Sequence, residues 1–131
     1  MLDTSVLLGL LDTGDAHHQA AARAVTQCMV AGSDFGLPAS VLAEVLVSEA
    51  RRSRPAVEQR RIRVLTLFGP VRPIDEAVAV HSAQLRARHP SLRLPDALVL
   101  ATGIVDDAEL VLTADKRWAG LDKRVRLLDS G

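Results

Sequence analysis

The stretch LPDALVLATGIVDDAELVL, residues Leu94–Leu112, decides the fold class because it joins a helix to a strand through a short connection. Pro95 favours a helix start, and the residues after it predict a helix from about Asp96 to Val105. Leu110–Leu112 is the clearest strand in the sequence. A helix and a strand in such close succession are typical of an α/β domain.

Outward from this stretch, short strands and amphipathic helices alternate along the whole chain. The other strands are predicted at Met1–Leu2, Phe35–Leu37, Val71–Ile74 and Val125–Leu128. The other helices are predicted after a cap at Thr4 or Ser5, from Asp15 to Val30, from Pro38 or Ser40 to about Arg52, from Pro55 to Gly69, and from the cap Asp75 to about Arg88. Because helices long enough to cross over separate the strands, we predict an α/β sandwich with a short, mainly parallel central sheet covered by helices.

Length and composition exclude several classes of protein. At 131 residues and 48% hydrophobic composition, the chain fits a single domain, residues 1–131, with one buried core. No apolar stretch approaches the roughly 18 residues of a membrane span, and no basic residue precedes Arg23, so we expect neither a membrane helix nor a signal peptide. The lone Cys28 allows no internal disulfide and no cysteine zinc site, which fits a cytoplasmic protein.

The formal net charge is zero, but the basic residues are concentrated in two segments. The basic segment from Arg51 to Arg72 contains one acid, Glu58. Its arginines are Arg51, Arg52, Arg54, Arg60, Arg61, Arg63 and Arg72. Such a segment is either a solvated helix face or a clamp for RNA phosphates, and it could also bind an acidic protein segment. A second basic group could flank a cleft near Asp115, and its members are Lys116, Arg117, Lys123, Arg124 and Arg126.

Three aspartates occupy positions where parallel sheets place functional groups, at strand ends and helix starts. Asp3 follows the first predicted strand, Asp96 lies in the first turn of a helix, and Asp115 follows the strand that ends at Leu112. Each of them alone is explained better by the favourable dipole at a helix start. A fourth acid, Glu44, interrupts an apolar run in the middle of a helix, where it could also lie at the edge of the buried stripe.

The four acids together suggest convergence on one point. Carboxylates that converge repel one another, so at least one must become protonated or the group must recruit a cation. A ligand set made only of oxygen atoms favours Mg²⁺ or Mn²⁺ over zinc.

Four motifs in order carry a family resemblance. They are LDTSVLL (Leu2–Leu8), ASVLAEVL (Ala39–Leu46), LPDALVLATG (Leu94–Gly103) and LTADKRW (Leu112–Trp118). In order and spacing they resemble a PIN domain over essentially the whole chain, and more narrowly the VapC toxins of bacterial toxin–antitoxin pairs. The acidic quartet of the family then falls on Asp3, Glu44, Asp96 and Asp115, and its hydroxyl residues on Thr4 or Ser5 and on Thr113. The chain departs from the pattern in having fewer apolar residues before the first aspartate, so its first strand is expected to be short.

The resemblance implies an Mg²⁺-dependent endoribonuclease toxin in which Mn²⁺ can replace Mg²⁺. Asp3 and Asp96 would hold the ion, Asp115 would complete its shell directly or through water, and Glu44 would orient or deprotonate the attacking water. The resemblance also implies a cognate antitoxin and a homodimer. The alternative is a catalytically idle PIN-like module that binds RNA or protein. Glu44 favours the enzyme, because a binding module has no need of an acid within an apolar helix.

Overall fold

The computed structural model describes residues 1–129, in which helices alternate with short strands. Over these residues the helices are α1 Thr4–Leu11, α2 His18–Val30, α3 Ala39–Ala50, α4 Arg54–Phe68, α5 Glu76–Arg88 and α6 Leu94–Val105. The strands are β1 Leu37–Pro38, β2 Val71–Arg72, β3 Val111–Thr113 and β4 Val125–Leu127, and a 3₁₀ turn covers Lys116–Trp118. The predicted alternation, and with it the α/β fold class, is confirmed.

Every strand pair in residues 1–129 is parallel. β1 pairs with β2, and β3 pairs with β4 in a register that sets Val111 opposite Val125. Leu2 adds a single parallel bridge to Leu112, where the first predicted strand belongs. The structure is therefore the predicted sandwich of helices over short parallel strands, but the strands form two separate pairs. β2 is shorter than predicted, because Pro73 has no N–H group to extend the ladder.

Two predicted helix starts are wrong, one because of a long-range backbone pairing and the other because of a local turn. Asp3, rather than Thr4 or Ser5, occupies the cap position of α1, with extended backbone angles that follow from its pairing beside β3. Its side chain makes no capping hydrogen bond. Helix α2 begins at His18 instead of Asp15, because the Asp15 carboxylate accepts the backbone N–H of His17 at 2.7 Å and forms a turn there.

The starts of α4 and α5 follow the capping signals in the sequence. Ser53 Oγ accepts the backbone N–H of Ala56 at 3.1 Å, and a proline stands in the first turn of α4. The Asp75 carboxylate accepts the backbone N–H of Val78 at 2.9 Å, which is the predicted cap of α5.

The core contains apolar side chains from every helix and from β3, with Trp118 and Phe68 as its largest fully buried members. Gly103 fixes the position of α6, since a Cβ added there would lie 2.6 Å from Val111 Cγ2. The last turns of α6 thus pack on the amino end of β3. The first turn, which contains Asp96, consequently lies towards the carboxyl end of that strand. Within residues 1–129 no helix combines the length and the apolar character needed to span a membrane.

Candidate active site

The four acids singled out from the sequence gather around the carboxyl end of β3. The backbone N–H of Asp3 donates to the Leu112 carbonyl at 2.8 Å, which fixes Asp3 beside the last residues of the strand. Asp96 is in the first turn of α6, and Asp115 caps the 3₁₀ turn directly after β3. Glu44 approaches from α3, which packs against both α1 and α6.

Asp3 is the most deeply buried of the four, at 6% exposure, and two hydroxyl groups hold its carboxylate. Ser5 Oγ donates to Asp3 Oδ2 at 2.8 Å, and Thr113 Oγ1 donates to the same oxygen at 2.9 Å. Both hydroxyls also accept backbone N–H groups, Ser5 from Ala114 and Thr113 from Asp115, each at 3.0 Å. The two hydroxyls therefore orient Asp3 and tie it to the strand end, and both of their contacts are to the same oxygen, Oδ2.

The carboxylates of Glu44 and Asp96 lie close enough to Asp3 to be affected by its charge. Partial burial raises the pKa of Glu44, and the negative charges of Asp3 and Asp96 raise it further, although Glu44 as a whole residue is exposed. The nearby Thr4 hydroxyl opposes this rise in pKa to a smaller extent. Burial and the charge of Asp3 likewise raise the pKa of Asp96. Glu44 and Asp96 therefore both lie within range of the Asp3 charge.

Asp115 has a different environment because an arginine occupies its carboxylate. Arg117 Nη2 lies 2.6 Å from Asp115 Oδ2, and Arg117 Nε lies 2.9 Å from Oδ1, which is a bidentate contact. These bonds lower the pKa of Asp115. Asp96 has a much looser basic neighbour, since Arg93 Nε is 3.6 Å from its Oδ2. One acid of the quartet is thus neutralised by an arginine, while the others remain crowded.

The donor chemistry of this site fits a hard divalent cation. All the candidate ligands are carboxylate oxygens, and the raised pKa values of Glu44 and Asp96 reflect a crowding of negative charge that a cation would relieve. Among residues 1–129, no three His, Cys, Asp or Glu side chains are already arranged as ligands around one point. Side-chain adjustment, above all at the Asp115–Arg117 contact, would accompany binding of an ion.

Much of the basic segment is engaged in ion pairs. Its centre is Glu49, a buried acid that sequence reasoning missed, which pairs with Arg52 Nη1 at 3.1 Å and with Arg60 Nη2 at 3.3 Å. Glu49 follows Val41 and Val45 at the four-residue spacing of the buried face of α3, and this spacing is the signal that identifies it. Arg61 pairs with Glu58, and Arg72 with Asp106.

The expectation that the whole second basic group flanks the cleft is wrong. Lys123 and Arg124 precede β4, and the parallel pairing places them at the amino end of the strands, away from Asp115. Arg124 is held there by Asp107 at 2.9 Å and by Asp122 at 3.4 Å. Of this group, Lys116 and Arg117 follow Asp115 directly in the chain.

The fold and the site together define a class of protein. It is a parallel α/β domain covered by helices, with acidic residues gathered at the carboxyl end of a strand. The profile of the PIN domain family matches residues 1–124, and the chain belongs to that family. A search among curated proteins finds no significant match.

Several solved structures have the same fold. A chain of a toxin–antitoxin complex from Klebsiella pneumoniae is 27% identical, with 95% of this chain and 93% of that chain covered at a TM-score of 0.72. A chain of VapBC2 from Rickettsia felis, solved with a DNA fragment from its promoter, is 12% identical over 98% of each chain, at a TM-score of 0.74. A chain of FitAcB from Neisseria gonorrhoeae is 24% identical over 98% of this chain and 95% of that chain, at a TM-score of 0.73.

Proposed function

We propose that this protein is the toxin of a toxin–antitoxin pair and that it acts as a metal-dependent endoribonuclease. Membership of the PIN domain family supports the nuclease, and similarity to a chain of the Klebsiella pneumoniae toxin–antitoxin complex supports the toxin role. The observation that carries the proposal is the convergence of acids at one strand end, where burial and the charges of Asp3 and Asp96 raise the pKa of Glu44, and burial and the charge of Asp3 raise the pKa of Asp96. Such perturbed carboxyl groups are typical of catalytic sites.

Asp3, Asp96 and Asp115 are the proposed ligands for Mg²⁺, with Mn²⁺ as a substitute. When bound, the ion supplies a Lewis acid for the phosphate oxygen and lowers the pKa of a coordinated water. Asp3 is oriented for this role by Ser5 and Thr113, which both donate to its Oδ2. Asp115 would share its oxygens between Arg117 and the ion, or reach the ion through a water molecule.

Glu44 is the proposed group that orients the attacking water and accepts its proton. A carboxylate with an ordinary pKa is a weak base at neutral pH, and the raised pKa of Glu44 brings its basicity closer to the working range. Its place on α3, across from Asp3, lets it act without being a ligand. Attack by water on the phosphorus would leave products with a 5′ phosphate and a 3′ hydroxyl.

The proposed partners are an RNA substrate, a cognate antitoxin and a second copy of the chain. The antitoxin is supported by the Klebsiella pneumoniae neighbour, which was solved as a toxin–antitoxin complex. The homodimer follows from the family resemblance.

The function is tested by incubating the purified protein with total RNA and with a labelled RNA. We expect EDTA to stop cleavage, Mg²⁺ or Mn²⁺ to restore it, and Zn²⁺ to substitute poorly. Asp96→Asn removes a ligand at constant volume and should lower the cleavage rate at least about 100-fold. Asp106→Asn, the same substitution at the other end of β3, is the matched control and should cleave as well as the wild type. If the wild type cleaves no RNA with Mg²⁺ present, the idle binding module becomes the better interpretation.

A further inference from the structure

A pocket of about 360 Å³ opens directly beside the acidic site. It is lined in part by Arg88, His89, Leu92, Asp96, Asp115 and Trp118. Asp96 and Asp115 belong both to this pocket and to the acidic site, so the two are continuous. A chain molecule that places one group over the acids would therefore place its neighbouring group in the pocket.

The charges around the pocket are distributed unequally. At one side, Asp96 and Asp115 repel any phosphate that lacks a cation. The charge of Arg117 is compensated there by its ion pair with Asp115. Arg88, at the end of α5, is exposed and makes no ion pair with any acid of residues 1–129. The pocket thus presents one uncompensated positive charge, which favours an anionic group on the Arg88 side.

The wall between these charges is suited to a flat, partly polar group. Leu92 and Trp118 are buried, and the His89 ring is half-buried beside them. Trp118 Nε1 is buried without a hydrogen-bond partner in residues 1–129. The pocket volume lies within the usual range of small-ligand sites. A histidine ring offers a flat face on which a nucleobase of single-stranded RNA can stack.

We propose that this pocket is a subsite for the nucleotide next to the scissile phosphate, with Arg88 contacting its far phosphate and His89 facing its base. The proposal rests on the proposed ribonuclease function, because it takes the ligand to be single-stranded RNA that passes over the acids. The subsite binds RNA without a metal ion, since Arg88 and His89 lie outside the carboxylate group.

The test is the binding of a labelled single-stranded RNA of mixed sequence in EDTA at pH 8, measured by fluorescence anisotropy from low to high salt. Without a metal ion the RNA stays intact, so binding is measured apart from cleavage. We expect Arg88→Ala to weaken binding about tenfold and to lower the slope of log affinity against log salt by about 0.7, the value of one contact to a single strand. Arg88→Lys should restore the slope.

Two further variants separate the subsite from general charge effects. Lys123→Ala removes the same charge at the amino end of β4, away from the pocket, and should leave affinity and slope at wild-type values. His89→Ala should weaken binding about fivefold with an unchanged slope, because a contact to a base, unlike a contact to a phosphate, releases no counterion. Thermal unfolding of each variant checks that the fold is retained.

The outcomes are distinct from those that decide the ribonuclease itself. If Arg88→Ala keeps the wild-type affinity and slope, or changes them no more than Lys123→Ala does, the subsite is refuted and Arg88 only complements the helix dipole of α5. If His89→Ala binds as the wild type does, no nucleobase occupies the pocket. The proposed ribonuclease function is tested separately, by the cleavage assay. It fails if the wild-type protein cleaves no RNA when Mg²⁺ is present.

Discussion

Glu44 and Glu49 stand on the same helix, α3, but have opposite surroundings. Glu44 faces two other carboxylates, Asp3 and Asp96, and burial together with these charges raises its pKa. Glu49 is the more deeply buried of the two, and Arg52 and Arg60 hold its carboxylate at 3.1 and 3.3 Å. Glu44 thus remains among like charges, whereas two arginines neutralise the buried Glu49.

The same contrast separates the two ends of β3 and β4. At the amino end, arginines neutralise the acids through the pairs Arg72–Asp106, Arg124–Asp107 and Arg124–Asp122. At the carboxyl end, burial and the charges of neighbouring acids raise the pKa values of Glu44 and Asp96. Proteins keep such unfavourable arrangements where function requires them. The paired acids are compensated by neighbouring arginines, and the crowded acids are the candidate ligands for a cation.

The largest expected difference between these two groups lies in catalysis. Glu44→Gln removes the proposed proton acceptor at nearly constant volume and should lower kcat about 100-fold, with a small change in KM. Glu49→Gln, the matched change on the same helix, should leave kcat at the wild-type value. Steady-state cleavage of a labelled RNA with Mg²⁺ provides both constants. Equal losses of kcat in the two variants would show that α3 tolerates neither change. The proposed role of Glu44 as proton acceptor would then be contradicted.

Stability should respond to the same two variants in the reverse order. Glu49→Gln leaves two arginines beside a neutral amide in a mostly buried position, and we expect a loss of about 2 kcal/mol in the free energy of unfolding. Glu44→Gln relieves repulsion and should cost nothing in metal-free protein. Urea unfolding in EDTA measures both values. A Glu44→Gln protein less stable than Glu49→Gln would contradict the assignment of crowded and paired acids.

A smaller effect is expected in the pH dependence of metal-free stability. In the unfolded chain, Glu44 and Asp96 have ordinary pKa values of 4.5 and 3.8, and in the folded protein both pKa values are raised. Just above the ordinary values, the folded protein therefore binds protons that the unfolded chain has released. The stability contributed by these groups therefore increases as pH falls through the raised values. Asp115 acts in the opposite direction, since its pKa is lowered, but only below its ordinary value of 3.8.

This linkage is measured as the difference in Tm between Asp96→Asn and wild type in EDTA. At pH 7.5 the variant should melt higher by about 2–4 °C, because it lacks one of the crowded charges. The difference should shrink towards pH 4, where Asp96 of the wild type takes up its proton. A variant that melts below the wild type at pH 7.5 would mean that the Asp96 charge stabilises the fold.

The sequence predicts the fold class and brings out the four acids, because these depend on local signals. Hydrophobic alternation, the prolines before α4 and α6 and the cap at Asp75 act within a few residues of each other. The cap of α1 was predicted wrongly, because Asp3 pairs with Leu112, a residue more than a hundred positions away. Pairing across such distances cannot be deduced from a local pattern.

The charge pairing could not be predicted for the same reason. Nothing near Glu49 in the sequence distinguishes Arg52 and Arg60, which hold it, from the other arginines of the basic segment. The position of Arg124, too, depends on the register of β4 against β3, which the strand pattern alone does not define. Side-chain partners depend on packing between elements, and only the folded chain determines them.

The central claim is that Asp3, Asp96 and Asp115 form one site for a hard divalent cation. Titration of Mg²⁺ into metal-free protein at pH 7.5, followed by calorimetry, tests it without relying on RNA cleavage. The account predicts saturable binding to the wild type and to Asp106→Asn, and at least tenfold weaker binding to Asp96→Asn. Equal Mg²⁺ binding by wild type and Asp96→Asn, or no saturable binding by the wild type, would contradict it.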